Sequence, residues 1–141
     1  MAETPITASV TETRKSPYSV EVVVDGHEIE ADEPESSGGK NLGPYPHEIL
    51  VAALGACTAQ TVRWYADRHG WPLDAVSVDL TYAREHLEGH SGLLDVFDKA
   101  VRLTGPNLTR EQRGRLLDVA GKCPIQRLME GMPVIRTREK L

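Results

Sequence analysis

The sequence predicts an α+β fold, with antiparallel sheets packed around a long buried central helix, and three observations lead there. Asp25-Gly26 separates two β-branched stretches, which is the strongest short hairpin signal a sequence carries. The run Ile49-Leu50-Val51-Ala52-Ala53-Leu54-Gly55-Ala56-Cys57 is apolar on every side, the mark of a buried helix rather than an amphipathic one. A second pair of alternating stretches follows, and then two helical patterns. Strands and helices therefore come in separate runs.

Taken in order, Ile6 to Thr13 alternates loosely and reads as a strand. Tyr18 to Val24 and His27 to Ala31 form the hairpin around Asp25-Gly26. Asp32 to Tyr45 is a long loop of Glu, Ser, Gly and Pro, a type of segment that often borders a site or a partner. The central helix runs from Pro46, suited to a first helical turn, to His69. Gly70 is its C-cap, and Pro72 blocks continuation. Ala75 to Arg84 places Val76, Val78, Leu80 and Tyr82 on one face, and Leu93 to Leu103 is its partner strand. Thr109 with Gln112 makes a capping box for a helix reaching Ala120, with Leu116, Leu117 and Ala120 as its apolar stripe. Gly121 ends it, Cys123-Pro124 opens a short helix to about Glu130, and Met132 to Arg138 reads as a last strand. Small residues along the central helix allow close approach of another backbone. One small sheet covers too little of such a helix, which points to a homodimer.

Composition narrows the function. With 141 residues the chain fits one domain, 1–141, able to bury a core without staples. A formal net charge of −5, with basic residues scattered among acids, argues against a nucleic-acid or anionic-membrane partner. No stretch has the apolar length of a membrane span, and the first residues lack a signal pattern, so a cytoplasmic location is expected. Two cysteines are too few for a disulfide scaffold. No Cys-x-x-Cys or His-x-x-His spacing is present, so no metal is expected. The plain reading is two buried thiols; the sharper one is a redox couple.

The local contexts of the two differ. Cys57 lies mid-helix among apolar residues, where burial alone raises a thiol pKa. For it to react, a cation must reach it from elsewhere, and arginine is the natural candidate. Cys123 precedes Pro124 at a helix start, where free N–H groups favour a thiolate.

The stretch Gly43-Pro44-Tyr45-Pro46-His47-Glu48-Ile49-Leu50-Val51-Ala52-Ala53-Leu54-Gly55-Ala56-Cys57-Thr58-Ala59 resembles the first cysteine motif of the OsmC/Ohr superfamily. Lys122-Cys123-Pro124-Ile125 resembles its second. The resemblance covers nearly the whole chain and is nearest to the OsmC-like branch with a Gly-Ala-Cys-Thr motif. It implies two intertwined subunits with sites at their interface. It also implies a cysteine peroxidase acting on organic hydroperoxides, with hydrogen peroxide as a further candidate substrate, in oxidative-stress defence. Cys57 would become sulfenic acid, Cys123 would condense with it to a disulfide, and an external dithiol or lipoyl-type reductant would restore the pair without a bound cofactor. Family peroxidases hold their thiolate with an arginine and a glutamate. Arg14 is the candidate arginine here, and Glu48 the candidate glutamate, with His47 at the usual glutamate position. His47, Trp64 and Tyr65 are candidates for a substrate pocket, although the two aromatic residues read equally as core or interface. A non-catalytic module binding an apolar ligand, and a thiol redox sensor, are the alternatives.

Overall fold

The structure, a computed structural model, describes residues 4–141. These fall into two compact units, one ending at Leu50 and one spanning Val51–Leu141.

The first unit holds β1 (Ala8–Glu12), β2 (Val20–Val24) and β3 (His27–Ala31), antiparallel in that order. The hairpin expected at Asp25-Gly26 forms with Val24 opposite His27. Both turn residues have positive φ, 49° and 75°, the geometry whose twist matches the flanking strands. β1 and β2 are shorter than their sequence patterns. The loop after β3 is organised around Asp32, which is 2% exposed. Its Oδ1 accepts from the Ser16 hydroxyl at 2.8 Å and the Glu33 N–H at 2.8 Å, and its Oδ2 accepts from the N–H groups of Lys40 and Leu42 at 3.0 and 3.3 Å. One side chain thus satisfies backbone donors that a loop cannot pair by itself. Burial works against the Asp32 charge, but the Ser16 hydroxyl and the three N–H groups outweigh it and hold the carboxyl below its ordinary range.

The helix α1 (Pro46–Arg68) starts in the first unit and continues into the second. Its buried residues are Leu54, Gly55, Thr58, Val62 and Ala66. Leu54, Thr58, Val62 and Ala66 recur every four residues and so make one stripe, with Gly55 at its side. All-round burial is therefore not met within one chain: Leu50, Ala52, Ala53, Ala56 and Trp64 are exposed. In the second unit, β4 (Ala75–Glu85) and β5 (Leu94–Thr104) form a long hairpin with Leu80 opposite Lys99. A Cβ built on Gly55 would stand 2.6 Å from Leu80 Cδ1, so the missing side chain is what seats this strand on the helix. α2 (Arg110–Ala120) carries the expected Thr109–Gln112 capping box. Val62, Ala66, Leu73, Leu108, Leu116 and Ala120 form the core. α3 (Pro124–Glu130) is capped by Cys123.

Two expectations need correction. Leu117 does not join the stripe of α2: it is exposed, while Leu116 and Ala120 are buried, because adjacent helical residues point about 100° apart. Met132 to Arg138 forms no strand. A strand requires a neighbour to accept its ladder of hydrogen bonds, and Met132, Val134 and Ile135 are left exposed. Among the described residues, no helix is long and apolar enough to cross a membrane.

Candidate active site around Cys57 and Cys123

The two cysteines, 66 residues apart in sequence, meet in the second unit. Cys57, on α1, is half-buried, whereas Cys123 is fully buried. Both are free thiols. Consecutive N–H groups of α3 serve them: Ile125 donates to Cys57 Sγ at 3.5 Å and Gln126 to Cys123 Sγ at 3.4 Å. Pro124 at the first helical position has no N–H to give, and its ring fixes φ for the turn that presents the next two.

A polar chain reaches Cys123 from the other side. The Thr58 hydroxyl lies 3.5 Å from Cys123 Sγ and donates to the Leu54 carbonyl at 2.8 Å. Lys99 Nζ donates to Thr58 Oγ1 at 2.9 Å and to the Ala120 carbonyl at 2.7 Å. The Ala120 carbonyl belongs to the last residue of α2, where helical carbonyls lack intrahelical donors. Burial pushes the Cys123 thiol up, yet the Thr58 hydroxyl, the Gln126 N–H, the Cys57 thiol and the Lys99 charge together bring it below the ordinary cysteine value. Cys123 stands at the start of a helix, as its sequence context indicates, and the cation beside it comes from β5.

Neither Lys99 nor Thr58 was singled out from sequence. Lys99 had a visible signal. Phe97, Lys99, Val101 and Leu103 share one phase of an alternating strand, and all four are partly buried. A lysine in the apolar phase needs a partner for its ammonium. Thr58 stood beside Cys57 in the quoted motif, but its inward direction follows only once the stripe of α1 is known.

Of the remaining candidates, Arg14, His47 and Glu48 belong to the first unit and Trp64 and Tyr65 to the second. Arg14 is exposed, has φ 62°, and pairs with Glu12 at 3.5 Å. Glu48 accepts the Tyr45 N–H at 3.0 Å, closing the start of α1. Arg14 and Glu48 thus have separate partners within the first unit. His47 is exposed, its ring 5.7 Å from that of Tyr45. Trp64 is exposed under the Arg68 guanidinium, 5.0 Å from its centroid. Tyr65 packs edge-on to Trp71, and its hydroxyl accepts from Arg115 at 2.9 Å. It borders a surface hollow with Trp71, Gln112 and Arg115 whose lining includes neither cysteine. Among the described residues, no group of three or more His, Cys, Asp and Glu side chains is placed to hold a metal ion.

A family model described as OsmC-like protein matches residues 38–138. The chain belongs to the OsmC-like family. That match contains both cysteines and the Thr58–Lys99 chain. Solved OsmC-like structures share the fold. A protein from Legionella pneumophila, named an organic hydroperoxide resistance protein OsmC, is 19% identical, with a TM-score of 0.69 and 93% of each chain covered. An OsmC-like protein from Mycoplasma pneumoniae is 19% identical at a TM-score of 0.72, covering 92% of this chain and 90% of its own. An organic hydroperoxide resistance protein from Elizabethkingia anophelis is 20% identical at a TM-score of 0.68, covering 92% and 91%. At these identities the likeness concerns the fold alone. No curated protein matches the sequence significantly.

Proposed function

We propose that this chain is a cysteine-based peroxidase that reduces organic hydroperoxides through a Cys57–Cys123 sulfenate and disulfide cycle. The observation that carries the reading is the meeting of the two sulfurs on consecutive N–H groups of α3, one sulfur half-buried and the other fully buried. In the cycle, the Cys57 thiolate attacks the O–O bond, taking one oxygen as sulfenic acid while the alkoxide leaves and is protonated. Cys123 then displaces the hydroxyl as water, forming the disulfide. An external dithiol, such as a lipoyl-type group, returns both thiols. The names of the structural relatives from Legionella and Elizabethkingia favour a hydroperoxide as the oxidant.

The working form is a cytoplasmic homodimer. Its support is the exposed Leu50 and Trp64 of α1 and the exposed Met132, Val134 and Ile135 after α3, apolar side chains that a second copy would cover. Arg14 and Glu48, whose partners within the chain are Glu12 and the Tyr45 N–H, are the groups that a catalytic arginine–glutamate pair would draw on.

The test is consumption of tert-butyl hydroperoxide with dihydrolipoamide as reductant. Wild-type protein should turn over and Cys57→Ser should not. Equal, background-level rates for both would rule the peroxidase out.

A further inference from the structure

We infer that Lys99, acting through Thr58, holds Cys123 as the departing thiolate, so that a reducing dithiol attacks the Cys57 sulfur of the disulfide. The inference deepens the two-cysteine reading and rests on it. Thr58 has one hydroxyl proton. Because Lys99 donates into Thr58 Oγ1, that proton is the hydroxyl's only outgoing bond, and two acceptors lie within reach: the Leu54 carbonyl at 2.8 Å and Cys123 Sγ at 3.5 Å. A thiol or disulfide sulfur is a weak acceptor, so the proton stays on Leu54. A thiolate is an ionised acceptor and draws the proton across. Thr58 therefore gives Cys123 a hydrogen bond mainly when charge appears on its sulfur. Lys99 is fixed for this task by the Ala120 carbonyl at 2.7 Å. The titratable groups acting on Cys123 are Lys99 from β5 and Cys57 from α1.

A second observation points the same way. Cys123 is fully buried and Cys57 is half-buried, so an incoming sulfur reaches Cys57 first. In the step itself, one thiolate of the dithiol forms an S–S bond to Cys57. The Cys57–Cys123 bond breaks, and its electron pair leaves on Cys123. The second thiol of the dithiol then attacks its own mixed-disulfide sulfur, expelling Cys57 as thiolate and closing an intramolecular disulfide in the oxidised reductant. Exchange is faster when the leaving thiol has the lower pKa. Lys99 is a positioning residue in this scheme, since it touches neither reacting sulfur.

The experiment uses full-length protein oxidised with diamide, which makes the disulfide without peroxide. 2-Mercaptoethanol is added, the reaction is quenched in acid, and the mixed disulfide is mapped by mass spectrometry. Separately, the ultraviolet thiolate absorbance of Cys123 is titrated in the Cys57→Ser background, with and without Lys99→Met. The adduct is expected on Cys57. Lys99→Met should raise the Cys123 midpoint by about one unit, a tenfold loss of thiolate at a given pH below it. Reduction of the disulfide by dithiothreitol should slow about threefold or more, and Lys99→Arg should restore both values. If Lys99→Met fails to fold, Thr58→Val takes its place in both measurements. An adduct on Cys123, or an unchanged midpoint, overturns the inference. These readouts are independent of peroxide turnover, so a failed peroxidase assay would leave them standing. Absence of any Cys57–Cys123 bond after diamide would overturn the pairing on which both readings depend.

Discussion

Gly55→Ala sets two effects of known size against each other. Glycine inside a helix is less favourable than alanine by about 1 kcal/mol, so propensity alone predicts stabilisation of that amount. Packing predicts the reverse. The new methyl would stand 2.6 Å from Leu80 Cδ1, well inside the ordinary ~3.5–4.0 Å separation of carbon atoms. Gly55 is buried, and the atom met is the end of the half-buried Leu80 side chain, so that side chain must turn off its rotamer or its strand must move by roughly an ångström. Overpacking of this kind costs about 1–3 kcal/mol. Packing therefore wins, by about 1 kcal/mol net. Leu80 is also the cross-strand partner of Lys99, so its displacement would loosen the Lys99–Thr58 bond. The assay is urea denaturation of wild type, Gly55→Ala, Leu80→Ala and the double variant. Gly55→Ala should lower the midpoint, and the double variant should be more stable than the summed single effects by about 2 kcal/mol, the whole overpacking cost, because removing Cδ1 removes the clash. A Gly55→Ala protein about 1 kcal/mol more stable than wild type, with no coupling to Leu80, would refute the account of how β4 is seated.

Further predictions concern the core, the loop and the chain end. Leu116→Ala empties a fully buried site and should cost about 2–5 kcal/mol by the same denaturation assay. The Asp32 carboxyl is held below its ordinary value, so its stabilisation is complete above that value and is lost as pH falls through the lower folded one. Wild-type stability should therefore drop below about pH 4, and Asp32→Asn should be less stable at neutral pH and lose this part of the acid dependence in pH-resolved melts. Deleting residues 132–141 removes exposed Met132, Val134 and Ile135 and should shift the protein from dimer to monomer in sedimentation velocity. An undiminished dimer would remove those side chains from the interface.

Local chemistry was legible wherever one short segment decides the outcome. Asp25-Gly26 specified its turn because only a positive φ at both positions closes that hairpin. Thr109 and Gln112 specified a cap for the same kind of reason. Cys123 was readable as a helix cap from the proline after it. Properties that depend on distant segments were not legible. An apolar helix does not say which stripe its own chain covers, so Thr58 was missed although it follows Cys57 directly. Lys99 could be found only by noticing a charge in the apolar phase of β5, and its target lies 41 residues away. Met132 to Arg138 has strand-like composition, but composition carries no information about the neighbour that a ladder requires.

The most direct measurement is the mass of the intact protein and its peptide map after one equivalent of tert-butyl hydroperoxide. The two-cysteine account predicts the loss of two hydrogen atoms and a single linked peptide joining Cys57 to Cys123. Recovery of both cysteines as free thiols, or oxygen added to Cys57 with Cys123 left unlinked, would contradict it.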